Sequence, residues 1–160
     1  MKAPVVIKKD AMKLEPKPNS GKEGDAGSWA RVIAPGNVDT KGLTMGISHI
    51  NPGFPAHGWH THTIDKKENK GLGIEVEVRY PEKDGEYLFE EFYYILSGSG
   101  IIQWEAEDGT IKEIKVSAGD TVFFPRDVAK HQLLNTGKEK ITTIWGGGPL
   151  PERIIKPLGK

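Results

Sequence analysis

Turn-forming residues divide this chain into short runs, and that spacing constrains its fold more than any other feature. The chain contains 20 glycines and 11 prolines, and turn signals such as NPG, PEKDG, SGSG and SAGD separate runs of alternating or aromatic-rich residues. None of the runs resembles an amphipathic helix. The runs that resemble strands cover residues 31–34, 43–50, 73–80, 87–96, 100–107, 110–116, 120–125, 131–135 and 141–145. Short strands at such regular intervals predict an all-β sandwich or closed barrel.

Charge and cysteine content exclude several classes of protein. Lysine plus arginine equals aspartate plus glutamate, at 22 each, so the chain lacks the basic surface typical of nucleic-acid or anionic-membrane binding. No stretch approaches the ~20 apolar residues of a membrane span, and the amino terminus lacks the apolar core of a signal peptide. We therefore expect a cytoplasmic protein with no nucleic-acid or membrane partner. Because cysteine is absent, any bound metal must be held by nitrogen and oxygen atoms.

The length of 160 residues fits one domain. Residues 1–27 are rich in lysine, proline, glycine and serine, and we interpret them as an extended amino-terminal arm. We expect the barrel to occupy residues 28–148 and a carboxy-terminal tail to occupy residues 149–160. Within the barrel, residues 63–90 form an insertion whose sequence predicts a β-hairpin, either as a wall or lid near the barrel mouth or as a strand added to a neighbouring subunit.

Three of the five histidines fall within the six-residue stretch HGWHTH. If this stretch is a strand, His60 and His62 point to the same face, because side chains two residues apart share a face of a strand. Two imidazoles that converge inside an apolar barrel are costly unless they are paired or bind a metal. His57 has the opposite parity, so we place it at the rim, where it is a candidate acid or base.

The second half of the chain offers further candidates for a nitrogen and oxygen site. His131 is the single histidine after His62 and opens the run HQLLN. In EEFYYIL, either Glu90 or Glu91 must point inward with the apolar face of the strand. Tyr93 shares the parity of Glu91, so it either donates its phenol to a substrate or packs in the core.

Two groups of residues resemble the signatures of the cupin superfamily. HTH, followed by Glu91, six residues and Gly98, is similar to the first signature, and Gly119, Pro125, His131 and Asn135 are similar to the second. The resemblance covers roughly residues 43 to 146. In this family only a few residues usually separate the histidine pair from the glutamate, whereas residues 63–90 intervene here.

The resemblance implies a single antiparallel β-barrel of the cupin or jelly-roll type. It also implies one divalent transition metal (Fe, Mn, Ni, Cu, Co or Zn) bound by three histidines and one glutamate. Carried over to this sequence, the ligands are His60, His62, Glu91 and His131. Cupin-like barrels tend to pair through sheet edges, so we also expect a homodimer.

Cupins include dioxygenases, decarboxylases, isomerases and lyases, and the fold does not choose among these activities. A divalent ion with one carboxylate ligand leaves a net charge of about +1, which favours an anionic or enolisable ligand. We therefore expect a metal-dependent enzyme that acts on a small oxygen-rich or carboxylate-bearing molecule, with dioxygenase chemistry preferred and Tyr93 and His57 as the candidate catalytic residues. The alternative is a non-catalytic cupin that binds a sugar or small metabolite as a sensor or storage protein.

Overall fold

The computed structural model describes residues 3–17, 22–34, 38–40, 42–62, 74–79, 82–83, 86–87, 89–126, 128–150 and 152–157. The regular elements of these residues are strands, apart from one 3-10 helix at Lys9–Ala11. The strands are β1 (Glu15–Pro16), β2 (Gly27–Ile33), β3 (Thr44–Ile50), β4 (Ile74–Arg79), β5 (Glu82–Lys83), β6 (Glu86–Tyr87), β7 (Glu90–Ser97), β8 (Ser99–Glu105), β9 (Ile111–Ser117), β10 (Thr121–Phe124), β11 (His131–Leu134), β12 (Ile141–Gly148) and β13 (Glu152–Pro157).

Two larger antiparallel sheets enclose the core. One has the strand order β1-β2-β3-β12-β7-β10, and the other has the order β11-β8-β9. A single cluster of buried side chains joins them, with Ile50, Ile95 and Ile141 from the first sheet and Ile102 and Leu133 from the second. The chain is therefore an all-β antiparallel barrel built as two facing sheets, which confirms the predicted cupin or jelly-roll class.

Strand β7 shows why the alternating pattern positions the site. Glu91, Tyr93 and Ile95 are buried, whereas the residues between them are exposed. Strand β7 lies between β12 and β10, with Trp145 opposite Tyr93 on one side and Val122 opposite Tyr93 on the other. Because side chains on a strand alternate between faces, the apolar inner positions of β7 require Glu91 to point inward.

The HGWHTH stretch is not a regular strand, although the prediction that His60 and His62 share a face assumed one. It touches β11 through two isolated bridges, Pro55 with Leu134 and His60 with His131. Five residue steps separate Pro55 from His60, but only three separate Leu134 from His131, so the segment bows outward between the bridges. This bulge exposes Trp59 and leaves His57 beside the cavity.

The arm, the insertion and the tail also contain strands. Strand β1 pairs antiparallel with β2, which attaches the arm to the edge of the larger sheet. Part of the predicted hairpin in residues 63–90 lies outside the described residues. Where the chain is described, β4 pairs with β13 of the tail, and the two-residue strands β5 and β6 pair with each other.

Candidate metal centre

Two of the predicted ligands are held in place by reciprocal backbone contacts. The amide of His60 donates to the carbonyl of His131 (3.2 Å), and the amide of His131 donates to the carbonyl of His60 (2.9 Å). The Nδ1 of His60 lies 2.8 Å from the carbonyl oxygen of Gly58, and the Nδ1 of His131 lies 2.9 Å from that of Ala129. Because a carbonyl oxygen only accepts, both Nδ1 atoms carry the proton, and both Nε2 atoms are available as metal ligands.

Glu91 and His62 complete the cluster. The Nε2 of His62 lies 3.0 Å from Oε2 of Glu91, and the Nε2 of His131 lies 3.8 Å from the same oxygen. One ligand atom from each of the four residues lies within 4.8 Å of the other three. Metal–ligand bonds of about 2.1 Å bring ligand atoms to within about 3–4 Å of one another, so small side-chain movements suffice for an ion to bind.

An orphaned buried atom provides a test of whether a metal fits here. The Nε2 of His131 is buried and has no hydrogen-bond partner among the described residues. Its distance of 3.8 Å from Glu91 is too long for a hydrogen bond. A lone pair left unsatisfied in a buried site is costly, and a metal ion removes that cost. The four residues therefore form a site that can hold one metal ion.

The charges of the cluster also suit a metal. Burial alone would raise the pKa of Glu91, but the imidazoles of His131 and His62 outweigh this effect and lower it to about 2. Burial is also the main cause that lowers the pKa of His60 below its usual value. At neutral pH the cluster thus presents an anionic carboxylate and a neutral His60, which are the protonation states that ligate metals.

Tyr93 lies next to Glu91, one of the four residues of the candidate metal centre. Its ring is fully buried and packs edge-on against Phe124, with ring centroids 5.1 Å apart. Burial, followed by the charge of Glu91 and a hydrogen bond to it, raises the pKa of Tyr93 well above its usual value. The phenol therefore stays protonated and donates to the Glu91 carboxylate, so any contribution of Tyr93 to the chemistry would come through the position of that ligand.

His57 lies next to the four ligands without joining them. Its half-buried ring contacts His60 at 5.5 Å and Trp29 at 6.2 Å between centroids. Burial is the largest cause that lowers the pKa of His57 to about 4, and the charge of Lys17 is the second. His57 is therefore a neutral imidazole at physiological pH, within reach of a molecule bound at the centre. Its predicted role as an acid or base stays a prediction.

Glu90 and His49 lie away from the cavity. Glu90 is exposed, so Glu91 is the glutamate of the pair that points inward. The Nδ1 of His49 forms a hydrogen bond with the hydroxyl of Thr142 at 3.1 Å, on the outer face of the larger sheet. Sequence reasoning missed Lys17, whose side chain is buried on the inner face of the barrel. The arm has no hydrophobic periodicity that would have indicated an inward side chain at this position.

Comparison with known proteins supports this description. A family model for the cupin domain matches residues 86–146. No curated protein matches the sequence. Among solved structures, a protein described as a predicted oxalate decarboxylase from Thermotoga maritima aligns with 91% of this chain and 100% of its own, at 21% identity and a TM-score of 0.58.

Two further structures show the same fold. An oxalate decarboxylase from Lactobacillus farciminis, solved as a formate complex, covers 91% of this chain and 33% of its own, at 17% identity and a TM-score of 0.55. An RmlC-like cupin from Shewanella frigidimarina covers 92% of both chains, at 12% identity and a TM-score of 0.53. At these identities the likeness concerns the fold alone.

The fold and the site define a small β-barrel with a four-residue cluster that could bind a metal. The matched cupin domain spans residues 86–146, and the fold over most of the chain is that of solved cupin structures. Among the described residues, no helix is long and apolar enough to cross a membrane.

Proposed function

We propose that this chain is a metal-dependent cupin enzyme that acts on a small oxygen-rich or carboxylate-bearing molecule. The convergence of His60, His62, Glu91 and His131 within 4.8 Å carries the proposal. Three imidazole ligands and one carboxylate would leave a divalent ion with a net charge of about +1 and with coordination positions open to a ligand. When bound, such an ion supplies Lewis acidity and, if it is redox-active, electron transfer to or from oxygen.

The aromatic surroundings of the ligands favour oxygen chemistry of the dioxygenase type. Phe124 stacks on His131 with centroids 4.3 Å apart, and Phe89 packs edge-on against His62 at 4.7 Å. Tyr93 closes the floor of the site beneath Glu91. These rings exclude water from the ligands, and a dry apolar pocket is the main contribution that such a reaction needs from the protein.

A second candidate is proton transfer without oxygen, which leads to isomerisation, decarboxylation or elimination. The observation that favours it is His57, a neutral imidazole in edge contact with the ligand His60. A neutral imidazole can take a proton from a carbon next to a carbonyl group and return it to another atom of the same molecule. The fold shared with proteins described as oxalate decarboxylases is compatible with this route.

An oxygen electrode separates the two candidates. Iron-loaded protein is mixed with a panel of enolisable, carboxylate-bearing and aromatic compounds, in air and under strict anaerobiosis. The dioxygenase route predicts oxygen consumption that matches product formation and stops without oxygen. Turnover that persists without oxygen and is lost in His57→Gln, but not in the control His49→Gln on the outer face, would establish proton transfer instead. Saturable binding without turnover under either condition would identify the non-catalytic alternative.

We also propose that the chain forms a homodimer through the outer face of β7 and β10. Phe92, Tyr94, Leu96 and Phe123 are 37%, 40%, 45% and 60% exposed there. Two copies that pack face to face through this stripe remove these apolar side chains from water.

Light scattering at micromolar concentration tests the dimer. The expected mass is that of two chains, and Phe123→Glu should yield one chain because it places a charge in the interface. Ile114→Glu is the matched control, because Ile114 is 58% exposed on β9 in the other sheet. A wild-type mass of one chain would overturn the proposal.

A further inference from the structure

The amino-terminal arm delivers a lysine to the interior of the barrel. Strand β1 pairs with β2 so that Pro16 lies opposite Ser28, and the amide of Lys17 donates to the carbonyl of Gly27 at 2.9 Å. Gly27 in turn lies opposite Ile50, an inner residue that is fully buried. Lys17 therefore continues the inner face of the sheet, and it is only 6% exposed.

The ammonium of Lys17 has fewer partners than it can use. It can donate three hydrogen bonds, and in the described part of the chain its one acceptor is the hydroxyl of Ser48, at 3.4 Å. No carboxylate of the described residues forms an ion pair with it. Burial lowers the pKa of Lys17 to about 8, so the amine still carries its charge at neutral pH. A buried cation without a counter-ion is costly, and such groups cluster at functional sites.

Further donors lie on the same inner surface. The rings of Trp29 and Trp145 lie 6.1 Å apart, and the exposed Arg31 lies over them, with its guanidinium carbon 5.4 Å from the Trp29 ring and 6.0 Å from the Trp145 ring. The Nε1 of Trp145 and the hydroxyl of Thr44 are buried and have no hydrogen-bond partner among the described residues. Inner-face groups that can donate to an anion are thus left unsatisfied.

His57 connects this surface with the metal centre. Its ring contacts Trp29 on one side and His60 on the other. Ser48, the hydroxyl partner of Lys17, lies opposite Trp29, so the Lys17 ammonium lies on the same inner surface as Trp29. With a divalent ion present, the buried Lys17 ammonium and the 2+ ion carry three positive charges against the one negative charge of Glu91. This excess of positive charge matches a ligand with two negative ends.

We propose that Lys17 and the indole N–H of Trp145 form an anion subsite beside the metal centre, and that the substrate is a small dicarboxylate. One carboxylate binds at the metal, and the other passes His57 to reach Lys17. Because the ring of His57 contacts both Trp29 and His60, the two carboxylates must be joined by a carbon chain that reaches past this ring, as in succinate or glutarate. The inference rests on the proposed function, because it requires an ion at His60, His62, Glu91 and His131.

Calorimetry on the cobalt(II)-loaded protein tests the subsite. Dissociation constants are measured for acetate, oxalate, succinate and glutarate. Acetate and oxalate reach the metal alone, so they report on the metal centre without the subsite. We expect Lys17→Met to weaken succinate or glutarate binding about tenfold to hundredfold, as for the loss of a charge-assisted hydrogen bond, and to leave acetate and oxalate unchanged.

The control is Lys22→Met, which removes the same charge from an exposed part of the arm, where Lys22 donates to the carbonyl of Gly53. Lys17→Gln, which keeps a donor to Ser48, is the second variant if Lys17→Met does not fold. Unchanged succinate and glutarate binding in a folded Lys17 variant that binds cobalt would overturn the subsite and leave the metal centre standing. Failure of the wild-type protein to bind cobalt would overturn both.

Discussion

The two sides of the cavity hold their polar groups in opposite ways. On the metal side, His60 and His131 each have a carbonyl partner that fixes the ring, and Glu91 accepts from His62 and Tyr93. On the arm side, the described partner of the Lys17 ammonium is a single neutral hydroxyl, and the Trp145 indole N–H has no described partner. The metal side has its rings oriented before anything binds and keeps an acceptor without a partner at the Nε2 of His131, whereas the arm side holds donors that lack acceptors.

This difference indicates what each side is built to receive. Ligands whose rings are fixed by hydrogen bonds to backbone carbonyls keep a geometry that suits one ion, and that geometry stabilises the folded state once the ion binds. Unsatisfied buried donors cost stability, and natural proteins keep such costs where a ligand later removes them. We therefore expect an ion bound at the metal side to stabilise the folded protein. The unsatisfied donors of the arm side should destabilise it until a ligand binds.

Removal of the metal should produce the largest effect. A metal at a thousandfold excess over its Kd stabilises the fold by about 4 kcal/mol, so a chelator should lower Tm by on the order of 10 °C. The measurement is a thermal melt with and without chelator, for the wild type and for His131→Ala. The variant should melt at the same temperature in both conditions. A wild-type Tm that does not respond would show that the metal side gains nothing from an ion.

Two adjacent glutamates provide a second test of metal binding at this side. Glu91 faces the cluster and Glu90 faces solvent on the same strand. Glu91→Gln should weaken metal binding by more than about a hundredfold. The loss of a residue that only hydrogen-bonds to a metal ligand already costs about 10- to 100-fold, and Glu91 is itself a predicted ligand. Glu90→Gln is the matched control and should bind metal as the wild type does. Titration with a competing chelator measures both, and equal losses in the two variants would contradict the inward orientation of Glu91.

The burial of Lys17 on the arm side should make the free energy of unfolding depend on pH. Below about pH 8 the Lys17 amine is charged in the folded and the unfolded chain, so the folded protein carries the full cost of burying it. Between about 8 and the ordinary value of 10.5 the unfolded chain binds more protons, so the stability of the folded state rises with pH. The rise is at most about 3 kcal/mol.

Lys17→Met should lack this rise and should be more stable than the wild type near pH 7. Urea unfolding of both proteins between pH 7 and 10 measures the difference, with Lys22→Met expected to follow the wild type. If the free energy of unfolding changes with pH in the same way for the wild type and Lys17→Met, burial of the Lys17 charge does not destabilise the protein.

The same contrast explains what could be predicted from the sequence. The turn spacing and the alternation on β7 are local, so strands 87–96 and 131–135 and one inward glutamate at the start of β7 could be inferred from the residues. The resemblance selected Glu91 and supplied the rest of the ligand set. The fold class was confirmed. The bowed path of HGWHTH was not foreseen, because it depends on a two-residue mismatch with β11 that only the assembled structure shows.

Long-range pairing explains the other differences. The sequence of β4 indicates a strand but not that β13 is its partner, since any alternating run can supply the backbone hydrogen bonds. Lys17 follows a two-residue strand in a polar arm. Its inward direction comes from the pairing of β1 with β2 and has no periodic signal of its own.

The most direct test of the account is the metal content of the purified protein by elemental analysis. We predict about one Fe, Mn, Ni, Cu, Co or Zn per chain in the wild type and in the control His49→Ala, whose imidazole bonds Thr142 on the outer face. His60→Ala and His131→Ala should contain almost none, because each removes a ligand fixed by a backbone carbonyl. An unchanged metal content in both ligand variants would contradict the metal centre at these residues.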